Sequence, residues 1–167
     1  TFGDGVRREA RVVFGADGLK SKVREAVVGE LSAEFTGVTC MMGAAKLPRP
    51  VRGICFPSSS TTKSHACYYP SGPHETVFQL YFPAQTTDEA WGALDAAAGT
   101  AECARLASRL RADGWDEALL APLEAPPESV IRVGIFAREP LDVWAACSGR
   151  IVLVGDAAHP PVPYIGQ

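Results

Sequence analysis

A chain of 167 residues can bury one sizeable core, and a hydrophobic content of 47% with a mean hydropathy of +0.04 is typical of a globular protein. The net charge of −3 comes without a basic stripe for nucleic acid, and no apolar run is long enough to span a membrane. The five cysteines form no C-x-x-C pair and no Cys/His ligand spacing, which argues against a metal site and favours an intracellular, cytoplasmic compartment.

The first elements are a predicted hairpin and a short helix. Phe2 to Phe14 has the pattern of a hairpin that turns around Gly3-Asp4-Gly5, with its second strand at Val12-Val-Phe14. Leu19 to Val28 follows as a helix, and Gly29 is placed to end it. A strand and a helix joined by a short connection are therefore expected near the start of the chain.

The connection itself carries a Gly-Ala-Asp-Gly sequence. Gly15 and Gly18 allow a tight turn and a close approach of the backbone, and Asp17 can hydrogen-bond across that turn. Ser21 stands where the N-cap of the helix is expected.

The middle of the chain predicts a sheet with helices. Its strands are predicted at Thr36–Ala45, Gly53–Phe56, Ser64–Tyr69, Thr76–Phe82 and Ser129–Ala137, with a loop at Pro57–Lys63. Two helices are predicted at Thr87–Ala98 and Thr100–Ala112, and Pro122–Pro127 is expected to break the chain. The last strand, Ile151–Val154, is β-branched and apolar, and it ends at Gly155-Asp156 before a proline-rich loop that reaches Gly166.

Two of these segments resemble motifs of one family, the class A FAD-dependent flavoprotein monooxygenases of the aromatic-hydroxylase type. Val12 to Arg24 resembles the DG motif, and Arg150 to Gln167 resembles the GD motif. The segment Arg138 to Trp144 also resembles the family's R-x-P-L-x-x-W lead-in to the second motif. The resemblance implies an α/β fold: an FAD-binding, Rossmann-like domain with an inserted, mostly antiparallel sheet.

The resemblance also implies the roles of individual residues. The Asp156 carboxylate would accept hydrogen bonds from the ribityl hydroxyls of FAD, and the first motif would lie near the pyrophosphate and the path of the nicotinamide. Pro163 would lie beside the flavin with its carbonyl near the substrate, and Gly166 would let the backbone approach the ring. The cofactor-binding residues implied are Gly15, Ala16, Asp17, Gly18, Ser21, Arg24, Gly155, Asp156, Ala157, Pro163 and Gly166.

The domain organisation that the resemblance implies has three parts. Residues 1–34 and 138–167 would belong to the FAD-binding domain, and residues 35–137 would form the substrate domain. Because no G-x-G-x-x-G sequence occurs in the chain, we expect it to be an internal fragment of a longer enzyme. That enzyme would use NAD(P)H to reduce FAD and would insert one oxygen atom from O2 into a small organic substrate through a flavin C4a-hydroperoxide.

Other functions stay open at this point. An FAD-dependent reductase or dehydrogenase of the same superfamily, and a non-catalytic remnant, share the same motifs. A hydrolase triad of Ser21, Asp156 and His159 is disfavoured because there is no G-x-S-x-G sequence, and His159 is expected to pack or hydrogen-bond within its loop.

One segment departs from the family's pattern. Phe35 to Gly43 resembles the sequence Y-T-G-Y-T-x-W-R-G, but Met41 and Met42 replace its Trp-Arg pair. Methionine adapts to many apolar surfaces. This segment therefore favours either an apolar substrate or two core methionines.

Overall fold

The computed structural model describes residues 5–29, 33–84, 91–125 and 127–162 of the chain. Its elements follow in the order β1 (Val13–Gly15), α1 (Lys22–Val28), β2 (Glu34–Lys46), β3 (Ser58–Ser59), β4 (Ser64–Gly72), β5 (Glu75–Pro83), β6 (Gly92–Leu94), α2 (Ala96–Ala112), α3 (Glu117–Glu124), β7 (Pro127–Ala137), β8 (Ala145–Ala146) and β9 (Ile151–Leu153). They form two compact units. Unit 1 combines Thr1–Glu34 with Phe136–Gln167, and unit 2 is Phe35–Ile135.

Unit 1 contains a three-stranded sheet in the order β1-β9-β8. The pairing of β1 with β9 is parallel and aligns Val13 with Ile151 and Gly15 with Leu153, whereas β8 is antiparallel to β9. Helix α1 follows β1 and ends at Gly29, which has a φ of 81° and donates its N–H to the carbonyl of Glu25. The end of this helix is where the sequence predicted it.

The hairpin predicted for Phe2–Phe14 is wrong over its described part. Residues 6–12 are exposed and irregular, and β1 takes its described partner from the far end of unit 1. Three arginines and one glutamate in this segment leave it without an apolar face to bury against a neighbouring strand.

Unit 2 contains a six-stranded sheet in the order β3-β4-β5-β2-β7-β6. The described registers are all antiparallel, with Met41 opposite Leu80 and Leu80 opposite Ala66. Helices α2 and α3 pack on the face that carries these three side chains. The core they enclose is mostly apolar and includes Tyr68, Phe78, Leu106, Leu110, Leu120 and Leu123. A mixed α/β fold with an antiparallel middle sheet is therefore confirmed.

The helices of unit 2 differ from their predicted bounds. The prediction of two helices divided at Gly99 is wrong, because Gly92–Leu94 is a strand and α2 runs unbroken through Gly99 from its N-cap, Asp95. A Cβ at Gly99 would stand 3.2 Å from two side-chain atoms of Val130, so the glycine allows the helix to lie close to β7. The part of the first predicted helix at residues 87–90 lies outside the described residues.

Helix α3 passes through Pro122, where the sequence predicted a break. Pro122 lies in the second half of an eight-residue helix and is buried between Leu120 and Leu123, so apolar packing offsets the missing hydrogen bond. The strand predicted at Gly53–Phe56 is only a single bridge between Cys55 and Tyr68. No helix in the described part of the chain is both long and apolar enough to cross a membrane.

Candidate cofactor site

The two predicted motifs lie at the same edge of the unit 1 sheet. Strands β1 and β9 are parallel neighbours, and the N–H of Val154 donates to the carbonyl of Gly15 at 3.0 Å. The loops that follow both strands therefore leave from their carboxyl ends, which is where α/β sheets bind ligands. Asp17 belongs to the loop after β1, and Asp156 belongs to the loop after β9.

The carboxylate of Asp17 caps the first turn of α1. It accepts hydrogen bonds from the Ser21 hydroxyl at 2.5 Å and from the backbone N–H groups of Lys22 at 2.8 Å and Val23 at 3.2 Å. The Ser21 hydroxyl in turn accepts from the N–H of Arg24 at 2.8 Å, which confirms the predicted N-cap. The hydrogen bond from Ser21 is the main cause that lowers the pKa of Asp17. The hydrogen bonds of this carboxylate therefore hold the first loop against the start of α1.

Replacement of Asp17 by alanine should lower the free energy of unfolding by about 0.5–2 kcal/mol at pH 7, because the N–H groups of Lys22 and Val23 lose their acceptor, while Ser21 still caps Arg24. The folded protein holds the pKa of Asp17 below its unfolded value. The carboxylate thus stabilises the fold above the unfolded pKa of about 3.9, and this contribution is lost as the pH falls through the folded pKa. Urea unfolding of the wild type and of Asp17→Ala should show that the difference between their free energies of unfolding shrinks below about pH 4.

Asp142→Ala is the control, because it removes an exposed aspartate of the same unit and should leave the free energy of unfolding unchanged. Equal effects of the two variants would contradict the capping role.

The glycines of the first loop serve two purposes. A Cβ on Gly15 would stand 2.7 Å from Leu153 and 2.8 Å from Val23, so only glycine lets α1 and β9 lie this close to β1. Gly18 has a φ of 75° and open space around it, which satisfies the tight turn before the helix.

The loop after β9 begins with a turn that exposes a carboxylate. Gly155 has a φ of 56°, and residues Gly155–Ala157 form a 3-10 turn in which Ala158 and His159 donate their N–H groups to the Gly155 carbonyl. Asp156 is exposed, and its carboxylate makes no hydrogen bond within the part of the chain that the structure describes. The carboxylate is thus an acceptor presented at the sheet edge.

Arg24 connects the two motifs from inside unit 1. Its side chain is 3% exposed, and its guanidinium donates to the carbonyls of Ala157 at 3.2 Å, Ala158 at 2.9 Å and Glu139 at 3.2 Å. Burial and the nearby Arg138 lower the pKa of Arg24. Contact between Arg24 and the cofactor stays a prediction; in the structure the guanidinium binds the backbone of the second loop.

His159 packs on an aromatic neighbour. Its ring lies 4.9 Å from that of Trp144, whose indole N–H donates to the Leu141 carbonyl at 3.0 Å. Ser21 is buried and its hydroxyl is bound to Asp17 and Arg24. A hydrolase triad of Ser21, Asp156 and His159 therefore has no support here.

The structure brings together nine of the predicted site residues. Gly15, Ala16, Asp17, Gly18, Ser21 and Arg24 lie in or after the first loop, and Gly155, Asp156 and Ala157 form the second. Pro163 and Gly166 lie outside the described residues. Sequence reasoning missed the carbonyl of Glu139, for which no local signal exists because any residue supplies a carbonyl.

Sequence comparisons give the relatives of this chain. No family model matches it. It is 30% identical over 172 residues to a 6-hydroxynicotinate 3-monooxygenase of Bordetella bronchiseptica, covering 99% of this chain and 42% of the relative. It is 33% identical over 171 residues to a 3-amino-4-hydroxybenzoate 2-monooxygenase of Streptomyces platensis, covering 99% of this chain and 40% of the relative. The chain thus spans about two fifths of the length of the curated relatives it matches.

Solved structures share the fold. The Klebsiella pneumoniae HpxO complexed with FAD and uric acid matches 99% of this chain and 41% of its own, with a TM-score of 0.75 and 22% identity. A salicylate hydroxylase in a substrate complex matches 99% of this chain and 44% of its own, with a TM-score of 0.68 and 20% identity.

The relatives and the fold define one class of protein: the homologues of this chain are FAD-dependent monooxygenases of the aromatic-hydroxylase type. The resemblance seen in the two motifs is confirmed. Among particular relatives, the 6-hydroxynicotinate and 3-amino-4-hydroxybenzoate monooxygenases match the chain from end to end.

Proposed function

We propose that this chain is part of an FAD-dependent monooxygenase that uses NAD(P)H and acts on a small organic substrate. In that enzyme the chain would supply one edge of the flavin site and one face of the substrate site. The observation that carries the proposal is the common sheet edge at which the loops of both motifs lie. The names of the relatives support the reaction class, and the HpxO complex supports FAD as the cofactor.

The residues at the edge fit a flavin. Asp156 presents a carboxylate without a hydrogen-bond partner among the described residues, which is the right chemistry for accepting hydrogen bonds from ribityl hydroxyls. Gly18 and Gly155 keep the backbone of both loops bare of side chains at their turns. When bound, FAD would supply the redox chemistry, namely hydride uptake from NAD(P)H and activation of O2.

The contributions of the protein are binding and positioning. Asp156 would hold the cofactor, while Asp17 fixes the first loop by capping α1. Arg24 would act through other residues, since its guanidinium holds the backbone carbonyls of Ala157 and Ala158. We further propose that unit 1 is the FAD-binding domain and unit 2 the substrate domain, with Pro163 and Gly166 beside the flavin.

FAD binding tests this proposal. Titration of a protein that carries this chain into FAD should quench the flavin fluorescence with a saturable curve, and equilibrium dialysis should give the same Kd. That protein should then transfer label from isotopic O2 to its product while it oxidises NADH or NADPH. Failure of that protein to retain any FAD in dialysis would overturn the proposal.

A further inference from the structure

The sheet of unit 2 ends on one side at an edge that pairs with no other strand in the described part of the chain. Strand β3 is the last strand in the sheet order, and the register that pairs Ser58 with His65 also pairs Cys55 with Tyr68. The chain therefore runs along β4 as one extended segment, residues 54–58, which we call the open edge.

Two residues of the open edge form hydrogen bonds inwards, to β4. Cys55 exchanges two hydrogen bonds of 3.0 Å with Tyr68, and the carbonyl of Pro57 accepts from the N–H of Ala66 at 2.9 Å. Proline has no N–H to donate, and here the missing donor falls on the inner side of the strand. Pro57 therefore does not interrupt the outward-facing groups of the open edge.

The alternate residues of the open edge face the other way. Because backbone groups alternate in direction along a strand, the N–H and C=O groups of Ile54, Phe56 and Ser58 point away from β4. Those of Ile54 and Phe56 make no hydrogen bond with any residue that the structure describes. A row of outward donors and acceptors of this kind is a template for pairing with a further strand.

The side chains of the open edge are apolar and exposed. Ile54 is 65% exposed, and Phe56 is 74% exposed, which is the highest value for a large apolar side chain in the described part of the chain. No charged residue occurs between Gly53 and Thr62. Proteins usually protect a free edge with charged side chains such as lysine. The lack of this protection indicates that the open edge is covered in the assembled protein.

The outward groups are arranged symmetrically about Phe56. When a second copy lies antiparallel with its Phe56 opposite the first, Ile54 of each copy faces Ser58 of the other, and every outward donor meets an outward acceptor. The two phenyl rings then lie side by side on the same face of the joined sheet and shield each other from water. The open edge is therefore complementary to itself.

The charges at the ends of the open edge suit the same pairing. Residues 58–60 line a groove together with Asp113 and Asp116, and Arg52 is exposed two residues before Ile54. In the symmetric pairing, residues 58–60 of one copy lie beside the chain that leads into Ile54 of the other. Arg52 therefore stands at the end of the interface where the second copy has its two aspartates, so opposite charges face each other at both ends.

We propose that the open edge is the interface of a homodimer, in which two copies of this chain pair antiparallel about a two-fold axis at Phe56 and join their unit 2 sheets into one. The inference goes beyond the proposed function, because the pairing needs neither cofactor nor substrate. Five residues from each copy make a small interface, so we expect a dissociation constant of about 1–100 μM.

Analytical ultracentrifugation of a protein that carries this chain tests the association. Between about 1 and 300 μM the sedimentation coefficient should rise from that of a monomer to that of a dimer. Phe56→Lys replaces the central ring with a charge that would face its own copy across the axis, so the dissociation constant should rise at least about tenfold. Val143→Lys is the matched control, because Val143 is 60% exposed and lies in unit 1, and it should leave the association unchanged.

Disulfide formation tests the register. In the proposed register the two Cα atoms of residue 56 lie about 5.5 Å apart, which suits a disulfide, so Phe56→Cys should form a covalent dimer on oxidation with diamide. The variant is made in a Cys67→Ser background, because Cys67 stands opposite residue 56 within one copy and would compete for the introduced thiol. Ile54→Cys in the same background is the control, since its two thiols would lie about 14 Å apart and should not join.

The inference is overturned if the protein stays monomeric up to about 300 μM, if Phe56→Lys associates as strongly as the wild type, or if Phe56→Cys cross-links no more than Ile54→Cys. Failure to bind FAD, in contrast, would overturn the proposed function and leave these results in place.

Discussion

Asp156→Ala should weaken FAD binding by about tenfold to a hundredfold. A hydrogen bond to a charged group is worth about 1.5–3 kcal/mol, and the Asp156 carboxylate is an acceptor that the second loop presents without a partner in the described part of the chain. Because this carboxylate makes no hydrogen bond in the described structure, its removal should leave the melting temperature of the cofactor-free protein unchanged. Flavin fluorescence quenching gives the Kd, and calorimetry gives the melting temperature.

Two further variants make this test specific. Asp156→Asn keeps the shape and loses the charge, so its Kd should lie between those of the wild type and the alanine variant. Asp142→Ala removes an exposed aspartate of the same unit and should leave the Kd unchanged. An unaltered Kd for Asp156→Ala would remove the role assigned to this carboxylate.

Arg24→Met should change both stability and cofactor affinity. The guanidinium is buried and donates to three backbone carbonyls, each of which would lose this donor. The free energy of unfolding should fall by about 2–4 kcal/mol. The Kd for FAD should rise as well, because the loop that carries Asp156 loses the hydrogen bonds that hold its backbone.

The size of the effect separates this role from that of an ordinary surface arginine. Arg150 is exposed, and among the described residues its side chain bonds only the carbonyl of Cys147, so Arg150→Met should stay within about 0.5 kcal/mol of the wild type. Arg24→Lys keeps the charge without the planar fork and should recover part of the loss. Unfolding curves for Arg24→Met that coincide with the wild type would contradict the positioning role.

In unit 1 the sequence predicted local structure well and long-range structure poorly. Ser21 and Gly29 begin and end α1 through chemistry that acts within a few residues, so their patterns were sufficient. The hairpin failed because the partner of β1 is β9, and nothing near Val13 in the sequence indicates Ile151. The resemblance to a family brought these segments together where periodicity could not.

In unit 2 the errors arise where tertiary packing overrides local preference. Gly99 was expected to divide two helices, yet it lies inside α2. A glycine is needed there because Val130 occupies the space that a Cβ would take. Pro122 was expected to break the chain, yet it is buried in α3. The inward direction of Arg24 could not be predicted for the same reason: its partners are backbone carbonyls of residues distant in sequence.

The parallel pairing of β1 with β9 also sets an order of assembly. Unit 2 is one continuous stretch of chain, so during synthesis it can fold as soon as it has left the ribosome. Strand β1 is made first but has to wait for β9, since Val13 pairs with Ile151 and all of unit 2 lies between them. Closing so long a loop costs entropy that slows pairing, and prior folding of unit 2 shortens the flexible part of that loop. The two motifs thus become neighbours only after the intervening chain has been made, and damage to the sheet of unit 2 should slow the pairing of β1 with β9 as well.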